Sequence, residues 1–190
     1  MYYEQQTTQK DGTSIVLRSL KKQDAGAAVF CFRRVAAETE FLLRETDECG
    51  VTIAQEEEVI AKKAAHPREM LLGAFSGGEL IGMAGLNAVG HLSRVRHRAS
   101  VGVSLLHAHW GKGIGTAMMR ALIDCAKAAG YEQLELEVVY NNTRAIALYE
   151  RFGFEITGRI PRAIKYRDDS YADLIAMALD LSGAMQINRK

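Results

Sequence analysis

Between positions 105 and 116 the chain reads Leu-Leu-His-Ala-His-Trp-Gly-Lys-Gly-Ile-Gly-Thr, with glycine at 111, 113 and 115. Glycine takes backbone angles closed to other residues and lets a ligand approach the main chain. A helix that begins just after such a loop turns unpaired N–H groups and the positive end of its dipole outward. That arrangement suits a phosphate or pyrophosphate. Downstream lie side chains fit for proton transfer. Glu135 and Glu137 alternate along Gln133–Val139, which places both carboxylates on one strand face, roughly 6–7 Å apart. Tyr149 carries a hydroxyl with a reference pKa of about 10, suited to protonating a leaving group. Asn142 precedes it by two helical turns, so both can face one groove. His107 adds an imidazole, and Glu38 and Glu40 add carboxylates earlier in the chain.

The glycine spacing narrows the phosphate ligand. A mononucleotide loop needs G-x-x-x-x-G-K-S/T; here Lys112 is followed by glycine, and the earlier glycine is missing. A dinucleotide loop needs G-x-G-x-x-G, whereas Gly111, Gly113 and Gly115 give G-x-G-x-G. Glu135 and Glu137 stand where a ribose-binding acid would. The hairpin upstream and the single β-α-β unit argue against a doubly wound sheet.

The elements that must position these residues follow from patterning. Ser14–Arg18 reads as a strand, and Asp24 as the N-cap of a helix through Glu38, with Val29, Phe32 and Ala36 along its inner face. Thr52 and Gln55 form a capping box for a second helix that ends before His66-Pro67. Met70–Phe75 and Leu80–Leu86 flank Gly77-Gly78, a hairpin signal. A basic connector, Ser93–Arg98, leads to the strand Ser100–Leu106, which feeds the glycine loop. The next helix runs from about Gly113 to Ala129 and stops at Gly130. The strand Gln133–Val139, a helix capped near Asn142 and running through Phe152, and the strands Glu155–Gly158 and Tyr171–Asp180 complete the order. This predicts an α/β (α+β) fold, a mixed and mostly antiparallel sheet flanked by helices. One domain is expected over 14–181, with a tail or edge segment over 1–13 and a tail over 182–190.

Composition sets outer bounds. A net charge of +1 argues against a large nucleic-acid footprint. No apolar run approaches the roughly 18 residues of a membrane span. The three cysteines lack metal-ligand spacing, so no metal is expected. Reduced thiols and no signal peptide point to the cytoplasm.

Two motifs together bring a family into view. Trp110–Gly115 resembles the pyrophosphate loop of the GCN5-related N-acetyltransferase (GNAT) superfamily, Gln/Arg-x-x-Gly-x-Gly/Ala, with tryptophan in the Gln/Arg position. Asn142–Phe154 is similar to that superfamily's N-x-x-A-x-x-L-Y-x-x-x-G-F segment at every specified position. Ser14–Asp24 resembles its opening, and Glu38–Leu43 with Asp47-Glu48 resembles members acting on small amines or on proteins.

The resemblance implies acetyl-CoA as co-substrate and transfer of acetyl to a primary amine of a small molecule, an amino acid, a polyamine or an antibiotic-like compound, in a ternary complex. Main-chain N–H groups of Trp110, Gly111, Lys112, Gly113, Ile114, Gly115 and Thr116 would hold the pyrophosphate. The main chain of Leu105 and Leu106 would meet the pantetheine arm. Asn142 would bond that arm, cap its helix, or both, and Ala145 would line the site. Tyr149 would be the general acid. Glu137, Glu135, His107 and Glu40 stand as alternative bases, and ordered water is a fifth route. Acetylation of a protein N-terminus or lysine, and a CoA-binding regulatory module with little turnover, remain the other readings. A homodimer is an implied assembly.

Overall fold

A computed structural model describes residues 1–9 and 12–183. These divide into two compact units, Met1–Asn87 with Val101–Cys125, and Ala88–Ser100 with residues 126–183. In the first unit, β1 (Glu4–Thr8), β2 (Ser14–Ser19), β3 (Met70–Ser76) and β4 (Glu79–Ala88) form successive antiparallel pairs. Gly77 and Gly78, at φ +55° and +89°, make the β3–β4 turn; positive φ at both central residues matches the right-handed strand twist. Within the segment over 1–13, Glu4–Thr8 forms a strand at one end of the strand order. The unit also holds α1 (Ala25–Glu38), α2 (Ile53–Ala65) and most of α3 (Ile114–Ala128). Ile15, Leu17, Leu72, Ile81, Met118, Met119 and Leu122 are buried there.

The second unit contains β6 (Gln133–Val139), α4 (Thr143–Arg151), β7 (Glu155–Lys165) and β8 (Tyr171–Asp180). The strand β5 (Arg98–Leu105) begins in this unit, where Arg98–Ser100 pair in parallel with Gln133–Glu135. Both β6 and β7 pair antiparallel with β8. The hydrogen-bonded order β1-β2-β3-β4-β5-β6-β8-β7 makes the mixed sheet of the expected fold class. Leu134, Leu136, Val138, Phe154 and Met177 are buried in this unit. Gly130, at φ +73°, ends α3: Tyr131 N–H reaches the Ala126 oxygen and Gly130 N–H that of Lys127, which satisfies carbonyls the helix leaves open.

Three details differ from the sequence reading. Asp24 stands at the N-cap position of α1 but does not cap it; its carboxylate takes a bidentate bond from Arg18, at 2.6 and 2.8 Å, and the Lys21 N–H. The buried stripe of α1 is Ala25, Ala28, Cys31, Val35 and Ala36, while Val29 and Phe32 are half-buried. The strand expected over 155–158 continues to Lys165, passing Pro161 through a break in register. Pro161 is tolerated because β7 lies at the edge of the strand order. Of the expected 182–190 tail, residues 184–190 lie outside the described residues. Among the described residues no helix is long and apolar enough to cross a membrane.

Candidate functional site

The glycine loop belongs to the first unit. Gly111 and Gly113 take φ +74° and +91°, so two of the three glycines are there for conformation, and Gly115 lies in the first turn of α3. The first bond of α3 runs from Ala117 N–H to the Gly113 oxygen, at 3.0 Å. The N–H groups of Ile114, Gly115 and Thr116 therefore have no acceptor within the helix and point out of its N-terminus. A Cβ placed on Gly113 would meet nothing within 4 Å, so space lies open beside these donors. Ile114 is buried and can offer a ligand only its main chain. The donor set is uncharged and preorganised, which suits a phosphate group.

The turn leading into the loop is tied down residue by residue. Leu106 N–H donates to the Ile81 oxygen of β4 at 3.0 Å, and the Leu106 oxygen accepts from His109 N–H at 2.9 Å. The Leu105 oxygen accepts from the Trp110 indole N–H at 2.7 Å. Three of the four main-chain groups expected to meet a pantetheine arm, the Leu105 oxygen and both groups of Leu106, are thus bonded within the protein. Trp110 also packs its ring against His107, with centroids 4.6 Å apart. Glu38, the last residue of α1, accepts the His107 N–H at 2.7 Å, an N–H that opens a short 3-10 turn and has no acceptor within it. Burial, then the nearby Lys112 charge, lowers the pKa of His109. Glu40 is exposed in the loop after α1.

In the second unit, the Asn142 side-chain oxygen accepts the Ala145 N–H at 3.2 Å and caps α4. This engages the Ala145 main chain and leaves the Asn142 amide nitrogen able to donate. Tyr149, two turns on, is 7% exposed and packs against Phe154, with ring centroids 5.9 Å apart. Burial pushes its hydroxyl up to about 12. Glu135 is bound through both carboxylate oxygens by Arg98 and also takes a bond from Gln133. The Arg98 hydrogen bond holds the Glu135 carboxyl below the usual range, which makes it a weaker base. Glu137 is exposed. The structure thus brings Leu105, Leu106, His107 and residues 110–116 together in one unit, and Glu135, Glu137, Asn142, Ala145 and Tyr149 in the other.

Sequence reasoning missed Gly82. A Cβ there would lie 2.7 Å from both the Ser104 oxygen and Leu105 Cδ1, so the end of β5 rests directly on the bare backbone of β4. A glycine inside an apolar strand was the available signal.

Comparison with known proteins places these features. A family model described as the acetyltransferase (GNAT) family matches residues 36–154, a span that includes the loop and the Asn142–Phe154 segment. N-alpha-acetyltransferase RimI of Mycobacterium tuberculosis is 33% identical over 120 residues, covering 63% of this chain and 71% of that protein. The L-methionine sulfoximine/L-methionine sulfone acetyltransferase of Pseudomonas aeruginosa is 27% identical over 135 residues, covering 71% and 78%. A crystal structure of a GNAT-family acetyltransferase from Streptococcus pneumoniae superimposes with a TM-score of 0.84 at 27% identity, covering 88% of this chain and 99% of that one.

Proposed function

We propose that this chain, which belongs to the acetyltransferase (GNAT) family, acetylates the primary amine of a small molecule by direct transfer within a ternary complex. It is an acetyl-CoA-dependent N-acetyltransferase. The observation that carries the reading is the Gly111–Thr116 loop, whose outward N–H groups and open space match a pyrophosphate. Holding donor and acceptor together supplies proximity, worth roughly 7–11 kcal/mol of barrier at best.

Tyr149 keeps its proton across the working pH range and serves as the general acid for the departing thiolate. Asn142 caps α4 with its oxygen and donates to the pantetheine arm with its amide nitrogen. The base that takes the ammonium proton is Glu137, His107 or Glu40; Glu135, clasped by Arg98, serves the fold. The protein is cytoplasmic in this reading, consistent with three buried free cysteines, and forms a homodimer.

A second reading, acetylation of a protein N-terminus, draws on the likeness to the M. tuberculosis N-alpha-acetyltransferase. A thiol-release assay with acetyl-CoA separates them. Turnover of free amines supports the small-molecule reading; acetyl incorporation confined to peptides supports the second. Tight acetyl-CoA binding without turnover of either marks a regulatory module.

A further inference from the structure

The β7–β8 ladder shifts register twice, between Ile156 and Gly158 and, more widely, between Ile160 and Ile164. Ile160 pairs with Leu174 and Ile164 with Ala172, so Pro161, Arg162 and Ala163 stand opposite Asp173 alone. Within this bulge Arg162 sits at φ +53°, a left-handed conformation costly for a residue with a side chain. Asp173 holds it there by accepting the Arg162 N–H at 2.8 Å. The same carboxylate binds the Arg159 side chain at 2.5 Å, so the charge of Arg159 is matched. That of Arg162 is not. Its guanidinium carbon lies over the Tyr171 ring, 3.9 Å from the centroid, and no carboxylate pairs with it among the described residues. The ring contact restrains the guanidinium, and the exposed side chain keeps N–H donors available to solvent.

The cluster adjoins the start of α4. Tyr140 N–H donates to the Asp173 oxygen at 3.0 Å, and Asn142 N–H to the Val139 oxygen at 2.9 Å. Arg159 also lies over the Tyr140 ring, at 5.6 Å. Asp173, which holds the strained Arg162 backbone, is thus bonded to Tyr140, two residues before the Asn142 cap. A planar fork with free N–H groups is built to take a carboxylate through two parallel bonds.

We propose that Arg162 is an acceptor-recognition residue and that the amine acetylated by this chain carries a carboxylate, as a free α-amino acid does. The inference rests on the small-molecule reading above and sharpens it. A peptide N-terminus has an amide where a free amino acid has its carboxylate, so the same residue would reject protein acceptors.

The test compares leucine, phenylalanine and glutamate with their α-amides in the thiol-release assay, using the full chain and acetyl-CoA. The expected result is a kcat/KM ratio of acid to amide of about tenfold or more, in the range a charge-assisted hydrogen bond supports. Arg162→Gly suits the positive φ and removes the fork, and it should bring the ratio to about one. Arg162→Lys keeps charge without the fork and should fall between. Acids and amides turned over equally by the unaltered protein, or a ratio unmoved by Arg162→Gly, would overturn the subsite while leaving the acetyltransferase reading intact. A preference for amides overturns it in favour of peptide acceptors. Loss of turnover with every amine, beside intact acetyl-CoA binding, overturns the small-molecule reading and the subsite together.

Discussion

The indole N–H of Trp110 donates to the main-chain oxygen of Leu105 at 2.7 Å, closing the turn between the end of β5 and the glycine loop. The family pattern has Gln or Arg at this position, both side chains with N–H donors. Tryptophan keeps one donor and spends it inside the protein. The position therefore shapes the loop here by engaging the Leu105 oxygen at the end of β5.

Trp110→Phe keeps most of the ring and removes that donor. Losing one neutral hydrogen bond of about 1 kcal/mol should raise the KM for acetyl-CoA about fivefold. Trp110→Gln can restore an N–H and should recover part of the loss. Initial-rate measurements at saturating amine check both, and an unchanged KM in the Phe variant would show that the loop keeps its shape without the bond.

Much of this region was legible because its determinants are local. Gly77-Gly78, the Thr52–Gln55 box, Asn142 before α4 and Gly130 after α3 act within a few residues of themselves, and each stands where patterning put it. What the sequence could not show depends on partners that lie in other elements. Asp24 has the chemistry of a cap, but Arg18 claims its carboxylate from the neighbouring strand. The extent of β7 depends on Asp173 reaching back across the ladder to Arg162. The anchoring of His107 depends on Glu38, distant in sequence. Contacts between elements leave no periodicity to read.

Tyr149→Phe tests the general acid. Removing the hydroxyl should lower kcat by about a hundredfold or more, with acetyl-CoA binding preserved. The raised pKa adds a stability signature. An unfolded tyrosine ionises at about 10, and folded Tyr149 at about 12. Its contribution is whole below about pH 10 and is lost as pH rises toward 12, because only the unfolded state releases the proton in that window. Denaturant midpoints of the two proteins should therefore converge as pH rises from 9 to about 11.5. Parallel curves would contradict the buried hydroxyl.

The bases separate by substitution. Glu135→Gln breaks the clasp with Arg98, a partly exposed pair, and should cost about 1 kcal/mol of stability while changing kcat by less than about threefold. Glu137→Gln, His107→Gln and Glu40→Gln touch no such pair, and the one that carries the proton should lose about a hundredfold in kcat together with the acidic limb of its pH profile. A large kcat loss in Glu135→Gln without a stability change would return Glu135 to the site.

Gly82→Ala probes the floor beneath Leu105. The added carbon would lie 2.7 Å from the Ser104 oxygen and 3.3 Å from Leu105 Cα, and neither main-chain atom can move without shifting the end of β5. Overpacking of this kind costs about 1–3 kcal/mol. The shift would also strain the Leu106 N–H bond to the Ile81 oxygen and the Trp110 bond to Leu105, so the KM for acetyl-CoA should rise with the loss of stability. Gly102 is the matched control: it lies on β5, and a carbon added there meets nothing within 4 Å. Gly102→Ala should leave both the unfolding midpoint and the KM unchanged. Equal effects from the two substitutions would mean that β5 is sensitive to any side chain, and that its close approach to Gly82 has no special part in holding the loop.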